Sequence, residues 1–547
     1  FILFNITLIT LLFANIADTV YFKFTLKRST ADVLELMFLG DDFIHLLPQF
    51  ILDFWYLFVI WLLLSWTGYY WYKRIQWVEE ETYRLPCRSA LQGVLMVMTA
   101  ALLAIGARGG VQLKPIGIIN SGYYTASQNI PLVLNTPFSV ISTLGKNELK
   151  EISYMADDLL DSIFTPVHYP NQKRKIPAMD NTNVVVIIME SFTNEYSRFF
   201  GKSEKTYTPF LDSLAAEGLS FDRCFANGKK SIEALPAVIA GLPTLMNNPY
   251  ITSIYAGNRI DGLARHLHQK GYNTVIYHGG DNGTMGFDAF AKVSGFEHYF
   301  GRSEYGNDAH YDGKWGIYDE EFFQFFANGL NHINQPFLGC FISLSSHLPY
   351  MIPDRYNNKF TEGELEIHQS IQYADYALKK FFETASKMNW FSNTLFVITA
   401  DHTSIGKDPY YLNRAGMYAI PLLFYKPGSG MKGAMHRIVQ QSDIMPSVLD
   451  YLNYDKPYIA FGNSVFNLSA GMAVNFLNGI YQIFTGEYML QFDGEKSTGL
   501  FHIEKDRMLT QNLLLEKPEI REDMENQVKA VIQSYNFRLI HNRLSVN

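Results

Sequence analysis

The stretch Asn183-Val-Val-Val-Ile-Ile-Met-Glu-Ser191 decides the fold of this chain. Five consecutive β-branched residues, Val184 to Ile188, fit a strand that is buried on both faces, as in a parallel sheet. The apolar run ends on Glu190, so a carboxylate stands at the carboxyl end of the predicted strand. Ligands bind at that edge of open α/β sheets. The stretch therefore predicts a central strand with a functional carboxylate at its end.

A second stretch repeats this pattern. Thr394-Leu-Phe-Val-Ile-Thr-Ala-Asp401-His402 is an apolar strand that ends in Asp-His. Two buried strands that both end in side chains able to bind a metal indicate one shared site. The alternative is that Ser191 and Asp401 only cap the first turns of helices. That alternative explains those two residues but leaves Glu190 and His402 without a role.

The composition indicates a membrane part joined to a water-exposed part. The chain of 547 residues is too long for one compact domain. Hydrophobic residues make up 48% and aromatic residues 15%, yet the mean hydropathy is close to zero. The net charge of −8, without a large basic cluster, argues against nucleic-acid binding. Cys87, Cys224 and Cys340 form no CxxC, so free thiols are favoured, with a Cys224–Cys340 bridge left open.

Three apolar runs precede any sequence that looks catalytic: Phe1–Ala17, Phe50–Trp66 and Ala90–Gly106. Each approaches the roughly 17–25 residues that a membrane-spanning helix needs. Buried helices of a soluble protein are the alternative. Since the sequence begins inside an apolar run and without Met, we expect residues 1–110 to be an incomplete set of transmembrane helices.

The charge of the loops gives an orientation for these helices. The loop 73–88 carries four Lys and Arg residues, against three in the loop before it. By the positive-inside rule this places the loop 73–88 in the cytoplasm. We therefore expect a multi-pass protein of the cytoplasmic (inner) membrane, with everything after Gly106 on the extracytoplasmic or periplasmic side.

The remainder divides into three parts. Residues 111–180 read as a connector with short helices, and Asn147–Phe164 has helical apolar spacing. Residues 181–453 alternate strand-like and helical runs, which predicts a mostly parallel sheet with helices on both faces. Residues 454–547 read as a small C-terminal α+β subdomain. Strands are predicted at Asn183–Met189, Thr274–Tyr277, Phe337–Leu344, Leu395–Thr399, Ile480–Phe484, Tyr488–Phe492 and Gly499–Ile503, and helices at Pro209–Glu217, Gly262–Lys270, His368–Ser386 and Ile520–Arg538.

Four residues form the candidate catalytic core: Glu190, Ser231, Asp401 and His402. Two carboxylates and one imidazole suit Mn²⁺ or Mg²⁺ and also accept Zn²⁺. Ser231 follows a Gly-containing turn and opens a predicted helix, where the helix dipole favours a phosphorylated group. A bound metal lowers the pKa of a hydroxyl and makes it nucleophilic. An N-cap is the alternative role for the serine.

Taken together, these motifs resemble the lipoteichoic acid synthase family, sulfatase-fold phosphoglycerol transferases of the alkaline phosphatase superfamily. The resemblance rests on Glu190 after a strand, Gly-Lys-Lys-Ser231, Ser346-His347-Leu-Pro and Thr399-Ala-Asp401-His402. It extends to the membrane helices, to Tyr373-Ala-Asp375 and to Ser442-Asp-Ile-Met-Pro-Ser447. It thus covers nearly the whole chain.

The resemblance implies roles for these residues. Glu190, Ser231, Asp401 and His402 would hold one metal ion, typically Mn²⁺, with the hydroxyl of Ser231 as nucleophile. His347 would contact the phosphate or protonate the leaving alkoxide. On the substrate side, His278-Gly-Gly-Asp281 resembles a further binding stretch, and Lys230 would neutralise phosphate, as would its neighbour Lys229.

The sequence departs from the family in three places. Gram-positive synthases have Thr as nucleophile where this chain has Ser231, and the alignment there is offset by one residue. Their Phe-Trp-Asn-Arg stretch, which binds glycerophosphate, has no counterpart in Gly283–Asp288. His278, Asp281 and Trp315 are the candidates to serve instead, although Trp315 fits core packing equally well. His298 and His310 fit surface positions better than a second metal site.

One leading function and its alternatives remain at this stage. In the first, Ser231 attacks a phosphatidylglycerol-like donor, and the phosphoserine intermediate passes the headgroup to a glycan, glycolipid or polymer acceptor. The alternatives are a phosphoethanolamine transferase, or a phosphodiesterase or sulfatase-type hydrolase of the same fold. A formylglycine sulfatase is disfavoured because Ile232-Glu-Ala-Leu235 lacks the Pro and Arg of that motif. A non-enzymatic membrane sensor conflicts with the presence of all four core residues.

Overall fold

The computed structural model describes residues 2–25, 28–31, 51–52, 54–75, 86–112, 115–125, 130–145, 149–170, 181–467 and 471–546. The chain divides into two compact units. One comprises Phe1–Glu148 with Thr252–Gly257, and the other comprises Leu149–Ile251 with Asn258–Asn547.

The first unit is helical. Its helices are α1 (Ile2–Thr25), α2 (Trp55–Arg74), α3 (Pro86–Arg108), α4 (Ile130–Val133) and α5 (Thr136–Thr143). Two segments, Ile2–Val20 and Ala90–Arg108, are long and apolar enough to cross a membrane. The remaining predicted span, the second in the chain, falls largely on α2. The second half of α2 is rich in Tyr, Trp, Lys and Arg, and these residues lower the hydropathy of the helix. Two candidate spans are therefore found in the described part of this unit, where the sequence predicted three.

Helices α1 and α2 pack through aromatic rings. Phe4 stacks on Tyr72 with ring centroids 4.3 Å apart, and Phe13 meets the edge of Trp61 at 5.4 Å. The indole of Trp61 also donates a hydrogen bond to the carbonyl of Ile9 (3.1 Å). The described side chains of the apolar segment of α3 are exposed in this unit, as expected of a helix that faces lipid.

The second unit is built on a sheet of eight strands. The strands of this unit are β1 (Val167–His168), β2 (Asn183–Met189), β3 (Leu219–Phe225), β4 (Asn273–His278), β5 (His298–Phe300), β6 (Phe337–Ile342), β7 (Thr394–Ala400), β8 (Ala419–Tyr425), β9 (Gly433–Gln440), β10 (Tyr458–Ile459), β11 (Met472–Leu477), β12 (Ile480–Thr485), β13 (Tyr488–Phe492) and β14 (Ser497–His502). The large sheet has the order β5-β4-β6-β2-β7-β8-β3-β9. Only β8 runs against its neighbours, so the predicted mostly parallel sheet is confirmed.

The second unit also contains α-helices, several of which pack against the large sheet. They are α6 (Asp157–Ile163), α7 (Arg198–Gly201), α8 (Pro209–Glu217), α9 (Ser231–Ala240), α10 (Leu263–His268), α11 (Phe287–Ser294), α12 (Arg302–Tyr305), α13 (Asp319–Leu330), α14 (His368–Ala385), α15 (Pro409–Leu412), α16 (Ile444–Tyr451) and α17 (Pro518–Ile540). Helices α13 and α14 pack against β6 through phenylalanines: Phe323 stacks on Phe341 at 3.7 Å and also contacts Phe381. Strand β2 is buried along its whole length, as its β-branched run predicts.

The C-terminal part forms its own small sheet. Strands β11, β12, β13 and β14 pair antiparallel in sequence order, and α17 packs against three of them. The C-terminal subdomain predicted from the change in sequence pattern is thus confirmed as an antiparallel sheet with a helix. A separate two-stranded sheet joins β1, near the end of the predicted connector, to β10, near the start of the predicted C-terminal subdomain.

The structure corrects one predicted helix. Of the run Asn147–Phe164, only Asp157–Ile163 is helical, and residues 146–148 lie outside the described residues. The backbone N–H groups of Tyr154 and Met155 donate to the side-chain oxygen of Gln533 (2.7 and 3.1 Å). This tertiary contact with α17 replaces the helical hydrogen bonds, which is why apolar spacing misled here.

The cysteines are free where the structure describes them. Cys224 on β3 and Cys340 on β6 are both buried and form no disulfide. Burial raises the pKa of both thiols, so they behave as apolar core residues.

We expect Phe323→Ala to lower the free energy of unfolding by about 3–5 kcal/mol, because the ring is fully buried between α13, α14 and β6. Thermal unfolding of the detergent-solubilised chain measures this change. Phe537→Ala is the matched control: its ring is 46% exposed, so a similar loss there would contradict the assignment of the core.

Candidate active site

The pairing of β2 with β7 brings the two predicted metal stretches together. Met189 pairs with Ala400 at the end of the ladder, so the next residues, Glu190 and Asp401, leave the sheet side by side. The ligand atoms of Glu190, Asp401 and His402 all lie within 4.8 Å of one another. The Nε2 of His402 is 3.3 Å from Oδ2 of Asp401 and 3.7 Å from Oε1 of Glu190.

Ser231 joins this cluster from the first turn of α9. Its hydroxyl donates to Oε2 of Glu190 (3.1 Å) and lies 3.3 Å from Nε2 of His402. Lys230 occupies the N-cap position of the ten-residue helix, so Ser231 is not its cap. The family motif left an offset of one residue at this place. In the structure, the side chain at position 231 is the one that contacts the carboxylate of Glu190.

A tight turn fixes Glu190. The following residue, Ser191, has φ of 62°, in the left-handed region that L-residues rarely adopt. Its N–H donates to Oδ1 of Asp401 (2.8 Å), and its hydroxyl donates to Oε1 of Glu190 (2.7 Å). On the other side, the N–H of Glu190 donates to the hydroxyl of Ser343 (2.7 Å). Both oxygens of Glu190 are therefore oriented by serine hydroxyls.

The electrostatics of the cluster call for a cation. Burial, together with the charge of Asp401, raises the pKa of Glu190 well above its usual range. Oδ2 of Asp401 is buried without a hydrogen-bond partner. Nδ1 of His402 lies 2.9 Å from the carbonyl of Thr403; a proton on that nitrogen leaves the Nε2 lone pair facing the carboxylates. These residues fit a divalent metal ion bound by oxygen and nitrogen.

Lys229, rather than Lys230, faces the core. The ammonium of Lys229 donates to the carbonyl of Met417 (2.8 Å) and to the hydroxyl of Thr403, and burial lowers its pKa to about 8. The side chain of Lys230 is 62% exposed and lies 3.8 Å from Glu233. The backbone of Lys230 is extended, so the side chains of residues 229 and 231 lie on the same side of the chain. The alternation of an extended segment would therefore have paired Lys229, and not Lys230, with Ser231.

His347 lies on the loop that follows β6, the neighbour of β2. Its ring is half-buried and contacts the ring of Trp315, with centroids 4.0 Å apart. The indole of Trp315 donates to the carbonyl of Leu348 (2.7 Å), next to the histidine. Trp315 is therefore a surface platform beside His347 and not part of the core.

His278 is the last residue of β4, which lies two strands from β2, and Asp281 follows it. His278 is buried, its Nε2 has no hydrogen-bond partner, and burial lowers its pKa to about 4. Asp281 pairs with Arg302 (2.9 Å), which also pairs with Asp308 (2.8 Å) and stacks on Tyr311. Sequence reasoning missed Arg302, because the residue lies 21 positions after Asp281 and no motif marks it.

The two histidines considered for a second metal lie elsewhere. His298 is exposed on β5, and His310 shares a hydrogen bond with the hydroxyl of Tyr305. Within the described ranges, Glu190, Asp401 and His402 are the one group of three metal-capable side chains that meets. The surface interpretation of His298 and His310 agrees with these positions.

The sulfatase family model matches residues 182–454, which hold the cluster and the sheet. The chain carries a sulfatase-family domain. Curated relatives include lipoteichoic acid synthase 1 of Bacillus subtilis (strain 168), 28% identical over 358 residues, which are 60% of this chain and 55% of that protein. Lipoteichoic acid synthase of Staphylococcus aureus (strain USA300) is 23% identical over 389 residues, or 63% of this chain and 57% of that protein. The chain thus spans a little over half the length of these relatives.

Solved structures show the same fold. A protein in the alkaline phosphatase superfamily from Vibrio parahaemolyticus superimposes with a TM-score of 0.62 at 21% identity, covering 74% of this chain and 95% of that one. The lipoteichoic acid synthase LtaP from Listeria monocytogenes gives a TM-score of 0.59 at 21% identity, covering 71% and 99%. At this identity the likeness shows the fold alone, which agrees with the sulfatase family match.

We expect Mn²⁺ to stabilise the chain, by about 2.7 kcal/mol at 100 times its Kd, because a folded site binds the ion and an unfolded chain does not. A chelator should reverse the rise in Tm, and Asp401→Asn should abolish it. Asp375→Asn, at another buried carboxyl, is the control and should keep the metal-dependent rise. An unchanged response in Asp401→Asn would contradict the proposed ligand set.

Proposed function

We propose that this protein is a metal-dependent phosphoglycerol transferase that moves a phospholipid headgroup through a covalent phosphoserine intermediate. One observation carries the proposal: the hydroxyl of Ser231 sits at a helix N-terminus and contacts both Glu190 and His402. A side chain so placed combines the features of an activated nucleophile and a phosphate site. The lipoteichoic acid synthases among its relatives support the choice of phosphoglycerol.

Glu190, Ser231, Asp401 and His402 would hold one divalent ion, with Mn²⁺ favoured by the resemblance and Mg²⁺ or Zn²⁺ as alternatives. The ion supplies positive charge that lowers the pKa of the Ser231 hydroxyl and stabilises charge on the phosphoryl oxygens. The unpartnered oxygen of Asp401 and the raised pKa of Glu190 are the features that such an ion would relieve.

The first half-reaction uses Ser231 and His347. The hydroxyl of Ser231 releases its proton to solvent, its Oγ attacks the phosphorus of a phosphatidylglycerol-like donor, and the bond from phosphorus to the diacylglycerol oxygen breaks. His347 donates a proton to that leaving oxygen. The products are diacylglycerol and a glycerophosphoryl group on Ser231.

The second half-reaction reverses these roles. A hydroxyl of a glycan, glycolipid or polymer acceptor loses its proton to His347 and attacks the phosphorus, and the bond to Oγ of Ser231 breaks. The Trp315 ring beside His347 gives the headgroup an aromatic surface. His278, Asp281 and Lys230 remain the candidates for further contacts with the substrates, and Arg302 joins them through its pair with Asp281.

We place the catalytic domain on the extracytoplasmic side of the cytoplasmic membrane, where a lipid donor and a glycolipid acceptor meet. The two candidate membrane-spanning segments support an anchored enzyme. A multi-pass arrangement remains part of the proposal, since three apolar runs precede the catalytic sequence.

Phosphoethanolamine transfer is the second candidate, and one observation favours it. Arg302 is paired with two carboxylates, Asp281 and Asp308, so these three side chains together carry a net negative charge. The ammonium group of an ethanolamine headgroup fits such a charge better than an uncharged glycerol headgroup does. Hydrolysis by a phosphodiesterase or sulfatase of this fold differs only in using water as the acceptor.

We expect the chain, incubated with Mn²⁺ and phosphatidylglycerol vesicles, to gain the mass of a glycerophosphoryl group on Ser231. Intact mass spectrometry with peptide mapping measures the adduct, and Ser231→Ala should abolish it. Ser191→Ala is the matched control, because that serine is equally buried and also bonds Glu190, yet it is not assigned as the nucleophile.

Phosphatidylethanolamine vesicles separate the candidates. An ethanolamine-phosphate adduct would move the enzyme to the second candidate, and steady release of headgroup without an adduct would favour hydrolysis. An adduct on Ser191 instead of Ser231 would refute the assignment of the nucleophile.

We expect His347→Gln to slow turnover by about 10²–10⁴-fold, the ordinary contribution of a general acid. Its effect on Mn²⁺ affinity should be small, since His347 is not among the clustered ligands. Stopped-time assays of diacylglycerol release measure the rate, and a metal titration gives the affinity. Equal losses of both would show that His347 acts on the metal site and not on the leaving group.

A further inference from the structure

The loop that carries Ser231 and the turn that carries Asp401 are joined by one buried side chain, Gln441. This residue follows β9 and has no exposed surface. Its Oε1 accepts a hydrogen bond from the N–H of Asn227 (2.8 Å), four residues before Ser231. Its Nε2 donates to the carbonyl of Ala400 (2.8 Å) and to that of Asp401 (2.6 Å).

The position of Gln441 follows from the end of the sheet. The last residue of β7 that pairs with β8 is Thr399, so the carbonyls of Ala400 and Asp401 lie beyond that ladder. A buried carbonyl without a partner is costly, and so is a buried N–H. A carboxamide is the one neutral side-chain group of this length that accepts on one atom and donates twice from the other.

We propose that Gln441 is a positioning residue that sets the distance between the nucleophile loop and the metal-binding turn. The inference rests on the proposed function, since it takes Ser231 as nucleophile and Asp401 as metal ligand. Gln441 touches neither reacting group. It holds the backbone of Asp401 and, four residues before Ser231, the backbone of Asn227, so that the hydroxyl of Ser231 and the carboxylate of Asp401 would meet one ion in a fixed geometry.

The neighbouring Gln440 offers a matched comparison. It is equally buried, and its Oε1 accepts from Nδ2 of Asn227 (2.8 Å) and from the N–H of Val474 (2.9 Å). Gln440 therefore anchors the same loop to β11 of the C-terminal sheet but makes no contact with the metal-binding turn among the hydrogen bonds described. Loss of Gln440 tests burial and loop anchoring, whereas loss of Gln441 also uncouples the two halves of the site.

The experiment compares Gln441→Met and Gln440→Met in the detergent-solubilised chain of 547 residues. Binding of Mn²⁺ alone, followed by the electron paramagnetic resonance signal of the free ion, gives the affinity without any turnover. We expect Gln441→Met to weaken Mn²⁺ binding by about tenfold, and Gln440→Met by less than about threefold, because only the first substitution frees the carbonyls beside Asp401.

The rate of adduct formation on Ser231 gives the second measurement. A displacement of about 1 Å costs roughly 100-fold in rate, so we expect that loss in Gln441→Met, with the KM for phosphatidylglycerol within about twofold of the parent. If Gln441 had only a structural role, both variants would have a lower Tm, but their Mn²⁺ affinities and their adduct rates would be the same. Equal Mn²⁺ affinity and equal adduct rates in the two variants would overturn the proposal.

Gln441→Asn keeps the test informative if the Met variant does not fold. Its carboxamide is one methylene shorter and reaches only one side, so we expect an intermediate loss of Mn²⁺ affinity, and parent-like affinity would overturn the proposal. Failure of the parent chain to form any adduct would refute the proposed function instead. The comparison of Mn²⁺ affinities would still decide the role of Gln441.

Discussion

The structure depends on the parallel pairing of β2 with β7. This pairing forces Glu190 and Asp401 to leave the sheet as neighbours, buried and of like charge. Two carboxylates in such surroundings repel each other, and the side chains that contact them among the described residues include Ser191, Ser231 and the Nε2 of His402. This imbalance of charge is what a bound cation would relieve.

The nucleophile reaches this site from a different direction. Ser231 belongs to a helix that follows β3, near the far edge of the sheet, so its loop has to be fastened across several strands. Three buried contacts do this: Gln441 toward the metal-binding turn, Lys229 toward Met417, and Asn227 toward β11. The site therefore has two parts. The sheet fixes the ends of β2 and β7, and side-chain hydrogen bonds fix the loop before Ser231.

Sequence patterns predicted the ends of β2 and β7, but they did not predict the contacts that hold the loop before Ser231. β-branched runs are a strong local signal, and Asn183–Met189 and Thr394–Ala400 were recognisable from them, as were Glu190, Asp401 and His402. Strands β3, β8 and β9 were missed because they lack that continuous run and owe their pairing to distant partners. Arg302 and Gln441 were missed for the same reason. Each acts through a contact with a residue far away in the chain, which no local spacing records.

The bond between Asn227 and the carbonyl of Val474 ties the nucleophile loop to β11, in the last part of the chain. The sulfatase-family domain, residues 182–454, ends before β11 begins, so this anchor lies outside the domain that holds the cluster. It is one of three buried contacts of the loop, beside those of Gln441 and Lys229. The last part of the chain therefore completes the fastening of the loop that precedes Ser231, although it contributes none of the clustered side chains.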